Sequence, residues 1–158
     1  MAASSQLANS GHFKPHEISV FEPKDMHHYQ PSYTMIGGGV LGTNAATVKK
    51  LEKSHIKRPM LSMYKTGVHL IKESVQTFDP ANNKFTTDKG EHTYDYLVVA
   101  PGCRLRFDKI EGAQEALDDP DHPVVSIYRE DYAYKTLKFR EKLTQGTALF
   151  YQPPMPIK

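Results

Sequence analysis

The feature that most constrains this chain is a short strand closed by an acid, with a helix directly in front of it. Residues 17–22 read Glu17-Ile-Ser-Val-Phe-Glu22, followed by Pro23. A compact apolar run bounded by acids and proline has the pattern of a short buried strand. Upstream, residues 2–10 contain no Gly or Pro and are rich in Ala, Ser and Gln. They read as a short helix ended by Gly11, with Pro15 beyond it. A carboxylate at the end of the second strand of a dinucleotide-binding βαβ unit can accept both hydroxyls of an adenosine ribose. Glu22 stands in that place. The strand and glycine turn that such a unit needs before its helix are not in these residues, so the chain is expected to begin inside the first βαβ unit. The competing reading of Glu22 is a solvated acid at a strand end.

Farther along, residues 24–36 read as irregular, and Thr43 to Lys53 as a helix with a basic face. His69 to Phe78 is expected as a strand, Asp79-Pro-Ala-Asn-Asn83 as a turn and Lys84 to Thr87 as the returning strand. A third strand is expected from His92 to Ala100. Ser126 to Leu143 fits an amphipathic helix with Tyr132, Ala133, Phe139 and Leu143 inward and Gly146 as its stop. Thr147-Ala-Leu-Phe-Tyr151 then opens a strand that is not followed by a crossover helix, an odd place for a domain to end.

Composition narrows the class of partner. The 158 residues are 39% hydrophobic, with nine Tyr, seven Phe and no Trp, which argues for burial rather than disorder. Twenty basic against eighteen acidic residues leave +2, too little to suggest nucleic acid as a partner. The apolar run Tyr96-Leu-Val-Val-Ala100 falls well short of the roughly 20 residues of a membrane helix. Cys103 is the single cysteine, which excludes an internal disulfide and a four-cysteine zinc site. No signal or transit peptide is visible after Met1.

Gly37-Gly-Gly39-Val-Leu-Gly42 is a literal G-x-G-x-x-G. As a dinucleotide turn it would place a pyrophosphate on a helix N-terminus and call for an acid roughly 20 residues on. Ser54-His-Ile-Lys-Arg-Pro-Met60 lies there instead, basic and broken by proline, which favours a flexible Gly-rich loop. A small NAD(P)-binding dehydrogenase built on Gly37–Gly42 is one alternative reading. A non-catalytic flavin- or nucleotide-binding module is another.

Glu17-Ile-Ser-Val-Phe-Glu-Pro23, His27-His-Tyr-Gln-Pro31 and Met35-Ile-Gly-Gly-Gly39 together resemble the sulfide:quinone oxidoreductases. So do Gly67-Val-His-Leu-Ile-Lys-Glu-Ser-Val75, Tyr94-Asp-Tyr-Leu-Val-Val-Ala-Pro-Gly102 and Ala148-Leu-Phe-Tyr-Gln-Pro-Pro-Met-Pro-Ile-Lys158. The pieces run in family order, and they look more like the animal mitochondrial branch than the bacterial one. The resemblance implies an α/β fold: a Rossmann-like FAD-binding domain over residues 1–125, lacking its first strand and glycine turn but carrying a β-hairpin or meander. Residues 126–158 would supply a connecting helix and the start of a second Rossmann-like domain. It also implies a flavoprotein that oxidises sulfide through a cysteine persulfide and passes two electrons through FAD to a quinone, with a sulfur acceptor as a further partner. Association with the mitochondrial inner membrane would come through regions outside this chain.

By the same resemblance, Glu22 holds the adenosine ribose and Gln30 lies against the flavin side of the site. The Val75 backbone meets the adenine, and Gly102 sits near the cofactor. The family's Ala-Thr-Gly-like turn reads Ala-Pro-Gly here. No catalytic residue is expected in this chain, because the first redox cysteine would follow Lys158 and the second would lie much farther on. Such a segment is expected to be inactive alone and to bind FAD poorly.

Other candidates are weaker. Cys103 follows a Pro-Gly turn and precedes Arg104, which would favour thiolate, but a lone cysteine is more often a small buried apolar residue. His12 and His16 are separated by the helix-breaking Pro15, and adjacent His27 and His28 cannot both face one centre, so no metal site is expected. Lys49, Lys50, Lys53, Lys57 and Arg58 could touch anionic lipid, although a solvated helix face explains them as well.

Overall fold

The computed structural model describes residues 1–42, 44–51 and 56–151. They fall into two compact units, Met1–Tyr29 with Leu51–Leu105, and Gln30–Lys50 with Arg106–Lys158.

The first unit opens with α1 (Ala2–Asn9), whose last turn closes where the Ser10 N–H donates to the Leu7 carbonyl at 3.1 Å. α1 packs on β1 (Ile18–Phe21), as the first residues predict. β1 runs parallel to β4 (Val68–Ile71), with Ile18 opposite Val68 and Phe21 opposite Ile71. Parallel pairing needs a long crossover, and the chain between the two strands supplies it.

Residues 24–36 are not irregular. Met26–His28 form β2, antiparallel to β3 (Lys57–Pro59), and Pro31–Gly37 form a helix of the second unit. A three-residue strand carries no alternation to read; pairing with a distant segment creates it. Proline at the first helical position suits its fixed φ. Lys57 and Arg58 therefore belong to a strand rather than extending the basic face of the preceding helix.

The expected strand 69–78 is two strands, β4 and β5 (Val75–Asp79), separated by Lys72, Glu73 and Ser74. β5, β6 (Lys84–Thr87) and β7 (Glu91–Thr93) make an antiparallel meander in that order. The 79–83 turn is a single 3₁₀ turn closed by Asn83 at φ 51°, a left-handed position that asparagine tolerates. The third strand stops at Thr93, not Ala100. Thr93 already pairs with Lys84, the first residue of β6, and after one further bond from the Tyr94 N–H to the Asn83 carbonyl the partner turns away. Tyr96 and Val98 are left exposed.

The second unit is helical: α2 (Pro31–Gly37), α3 (Ala45–Leu51, whose last residue falls to the first unit), α4 (Ala113–Asp118) and α5 (Glu130–Lys142). The helix expected over 43–53 is seen as α3; Thr43, Glu52 and Lys53 lie outside the described residues. The core of this unit is Tyr33, Ile36, Val48, Leu117, Tyr132, Ala133 and Leu137. Tyr132 and Ala133 point inward as expected, whereas Phe139 is only half-buried and Leu143 is 52% exposed. The packing partner α2 has seven residues, about 10 Å, against α5's thirteen, about 20 Å, so it does not cover the whole stripe.

Across the N-terminal half of α5, the Tyr132 hydroxyl donates to Asp118 Oδ1 at 2.6 Å, and buried Lys135 donates to the Ala116 and Leu117 carbonyls at 2.8 and 3.2 Å. The ammonium thus caps the C-terminal end of α4. Burial pushes the Lys135 pKa below the usual amine value. The expected strand at 147–151 is absent: Leu149 and Phe150 are almost fully exposed, and no described segment pairs with them. A strand needs a neighbour to satisfy its backbone, whatever its propensity. Residues 152–158, including the end of the family-like motif, lie outside the described residues.

Candidate functional site

Because β1 and β4 are parallel, their carboxyl ends emerge at the same edge, the side on which open α/β sheets bind ligands. Glu22 is the first residue past β1. Its N–H donates to the Ile71 carbonyl at 3.0 Å, and the Glu73 N–H donates to that same oxygen at 3.0 Å. The Glu22 side chain is half-buried, and its Oε1 accepts the Lys24 N–H at 3.0 Å. One carboxylate oxygen is thus held by the turn at Pro23. Burial chiefly, and then the charge of Glu22, raise the pKa of the Tyr64 hydroxyl. Val75, four residues past the end of β4, opens β5 and pairs with Thr87. Glu22 and Val75 therefore lie on segments that leave the two strands at one edge, which suits an adenosine whose ribose needs a fixed acceptor.

The link between β4 and β5 is fastened to the meander. Glu73 Oε2 accepts the Thr87 hydroxyl at 2.7 Å and lies 2.8 Å from His92 Nε2. Asp88 Oδ1 accepts the Ser74 N–H at 2.8 Å, the Asp88 N–H donates to the Ser74 carbonyl at 3.0 Å, and Lys89 Nζ donates to the Lys72 carbonyl at 2.8 Å. The hydrogen bonds from Thr87 and His92 hold the Glu73 carboxyl below its ordinary pKa. The His92 ring also packs on Phe21 and Phe85, with centroids 4.8 and 5.3 Å away. Phe21 in turn meets Phe85 edge-on at 4.8 Å. Sequence reasoning missed this group. Its members are separated by 14 and 19 residues, and only the meander brings them together.

The other predicted positions belong to other segments. Gln30 is the exposed N-cap of α2, in the second unit. Gly102 is exposed at φ 81°, in a stretch without regular structure, and a Cβ there would meet nothing within 4 Å. Cys103 beside it is exposed, not the small buried residue expected. His27 and His28 face Arg58 and Lys57 across the β2–β3 ladder. Desolvation, then the charge of His28, lower the His27 pKa. Among the described residues, no group of three or more His, Cys, Asp or Glu could hold a metal ion, and no helix is long and apolar enough to cross a membrane.

The Gly37–Gly42 motif lacks the context of a dinucleotide turn, since Tyr33–Ile36 in front of it is helix rather than strand. Gly37 is a packing position in α2: a Cβ there would lie 2.8 Å from Ile127 Cγ2 and 3.1 Å from Thr136 Cγ2. Gly42, at φ 86°, lets the chain turn against Val48 at the start of α3. These contacts are packing contacts within the second unit.

The parallel pair with helices and a side meander makes this an α/β chain. Its structure matches that of the sulfide:quinone oxidoreductase from the hyperthermophilic bacterium Aquifex aeolicus with a TM-score of 0.56 and 25% identity, over 80% of this chain and 26% of that one. A chain of the Tetrahymena thermophila mitochondrial ATP synthase matches with a TM-score of 0.61 at 18% identity, over 89% of this chain and 32% of that one, and speaks to the fold alone. No protein-family model matches.

In sequence, the chain is 38% identical to the mitochondrial sulfide:quinone oxidoreductase of Schizosaccharomyces pombe, over 92% of its length. It is 34% identical to the protein of the same name in Dictyostelium discoideum, over 100% of its length, and 34% to that in Mus musculus, over 89%. The chain is therefore a relative of the mitochondrial sulfide:quinone oxidoreductases, as its motifs suggest, and the likeness is not confined to the animal branch. It spans 30%, 32% and 29% of the lengths of those three relatives.

Proposed function

We propose that this chain forms part of a mitochondrial flavoprotein that oxidises sulfide and passes two electrons to a membrane quinone, and that its contribution is to hold the adenosine end of FAD. The observation that carries this reading is the common carboxyl edge of β1 and β4, with Glu22 held by the Lys24 amide and Val75 at the start of β5. The relatives' names supply the reaction. FAD, when bound, supplies the two-electron carrier between sulfur and quinone.

In this proposal Glu22 accepts hydrogen bonds from the ribose hydroxyls, and the Val75 backbone borders the adenine. Gln30 and Gly102 serve the flavin side of the cofactor from their own segments. Cys103 takes no part in the sulfur chemistry, which proceeds through a persulfide on cysteines outside this chain; the sulfur acceptor and the membrane surface are also met there. The division into a Rossmann-like FAD-binding domain, 1–125, and the start of a second, 126–158, belongs to the same proposal.

The test uses the purified product of the longest reading frame that contains this chain. Flavin absorbance, bleached by sulfide and restored by a soluble quinone, is the expected result. Glu22→Gln is expected to lower flavin content while circular dichroism stays unchanged. A colourless protein, or a flavin that sulfide does not reduce, overturns the reading.

A further inference from the structure

The edge that carries Glu22 does not stand by itself. The Ile71 carbonyl is shared by the Glu22 and Glu73 amides, both at 3.0 Å, so the main chain of Glu22 and the β4–β5 link are tied at one oxygen. Within that link the Glu73 carboxylate is the side chain that reaches back to the meander: it takes the Thr87 hydroxyl at 2.7 Å and meets His92 at 2.8 Å. The Glu73 side chain is only 15% exposed, although its residue sits in a connection between strands. His92 touches both arms: its ring packs on Phe21, the residue before Glu22, and its Nε2 reaches Glu73. Asp88 and Lys89, on the same hairpin as Thr87, fasten the main chain of Ser74 and Lys72 on either side.

A surface loop needs no such clamp. An acceptor that must meet a ribose diol needs its backbone fixed, because a displacement of a few tenths of an ångström loses a hydrogen bond.

We propose that Glu73, braced by Thr87 and His92, is a positioning residue that fixes Glu22 and the Val75 backbone for binding of the adenosine end of the cofactor. This rests on the reading of Glu22 given above. Glu73 touches no part of the cofactor; it acts through the Ile71 carbonyl and the Phe21–His92 contact.

A double-mutant cycle on cofactor affinity tests it in the purified product of the longest reading frame. FAD dissociation constants are measured for wild type, Glu73→Ala, Glu22→Gln and the double variant, at a temperature where circular dichroism shows each apoprotein folded. Glu73→Ala is expected to weaken FAD binding roughly tenfold, the size typical of removing an outer partner that orients a binding group. In the Glu22→Gln background the same change is expected to cost clearly less, because the part of its effect that passes through Glu22 is already lost and only the part through the Val75 backbone remains. Glu73→Gln, which can still accept from Thr87 and meet His92, is expected to restore most of the affinity. A loss confined to general stability would instead appear equally in both backgrounds, and equal losses overturn the proposal. So does unchanged affinity in Glu73→Ala. Should Glu73→Ala fail to fold, Thr87→Val removes one brace and runs the same cycle. Failure of wild type itself to bind FAD overturns the reading of Glu22 together with this one, whereas tight wild-type binding with no Glu73 effect removes only this one.

Discussion

Replacing Gly37 with alanine separates two roles for the glycine motif. As the first glycine of a dinucleotide turn, its substitution would act on ligand binding. As a packing position, it acts on stability with no ligand present. The built Cβ lies 2.8 Å from Ile127 Cγ2 and 3.1 Å from Thr136 Cγ2, whereas carbon atoms rest at about 3.5–4.0 Å. Thr136 cannot easily give way, since its hydroxyl lies 3.0 and 2.8 Å from the Ser126 and Tyr132 carbonyl oxygens and shares its one proton between them. Overpacking of this kind costs about 1–3 kcal/mol, and the better helix preference of alanine returns up to about 1 kcal/mol. From the middle of both ranges the expected net loss is about 1–2 kcal/mol, or a fall in Tm of about 2–8 °C for a chain of this size. Thermal and urea unfolding followed by circular dichroism measure it. Gly38→Ala is the comparison: at φ −76° and exposed, its Cβ would meet the Thr34 carbonyl at 3.2 Å and otherwise only Val40 at 4.0 Å, so a change within about 0.5 kcal/mol is expected. Adding Ile127→Ala to Gly37→Ala is expected to recover part of the loss, since the two sites touch. A Gly37→Ala protein as stable as wild type, or more so, would refute the packing role.

Leu137, 1% exposed in the middle of α5, is expected to cost about 2–5 kcal/mol as Leu137→Ala, whereas Leu143→Ala, at a half-exposed site just past the end of that helix, should stay within about 0.5 kcal/mol. Paired urea titrations decide this, and equal losses would contradict the register of α5. The lowered Glu73 pKa sets a pH dependence with a definite sign. Because the folded value lies below the ordinary 4.5, the carboxylate's contribution is fully present above that pH and is lost as the pH falls through the lowered value. The urea midpoint of wild type should therefore fall with acid below about pH 4.5 more steeply than that of Glu73→Gln; parallel profiles would show that Thr87 and His92 do not stabilise the anion.

What was legible in the chain was whatever neighbouring residues decide among themselves. α1 ends where Gly11 follows it, β1 lies where apolar residues run to an acid, and the 79–83 turn has proline and asparagine in their usual places. Glu22 could be singled out for the same reason, since its place at a strand end is a property of six consecutive residues. The errors share one cause, dependence on a partner far along the chain. β2 exists because Lys57–Pro59 pairs with it, and β7 stops because β6 has begun to turn at Asn83. Leu149 and Phe150 have every strand preference and no described neighbour to pair with. Phe139 lies on the predicted apolar stripe of α5, where a seven-residue partner helix does not cover all thirteen residues.

The same distinction separates the two parts of the candidate site. A strand-end acid can be recognised from its own segment, but Glu73, Thr87 and His92 cannot be grouped that way, because they meet only after the meander has folded back on the parallel pair. None of the three carries a local signature: an acid in a link, a threonine at a strand end and a histidine in a three-residue strand are each unremarkable in sequence. Their joint placement, with Phe21 and Phe85 packed alongside, ties the β4–β5 link to the meander. If cofactor affinity in this chain is set by how rigidly that link is held, substitutions in the meander should alter binding without touching the ligand. Substitutions at exposed Gly102, where a side chain would meet no protein atom within 4 Å but the φ of 81° would be strained, should disturb the local backbone rather than the packing.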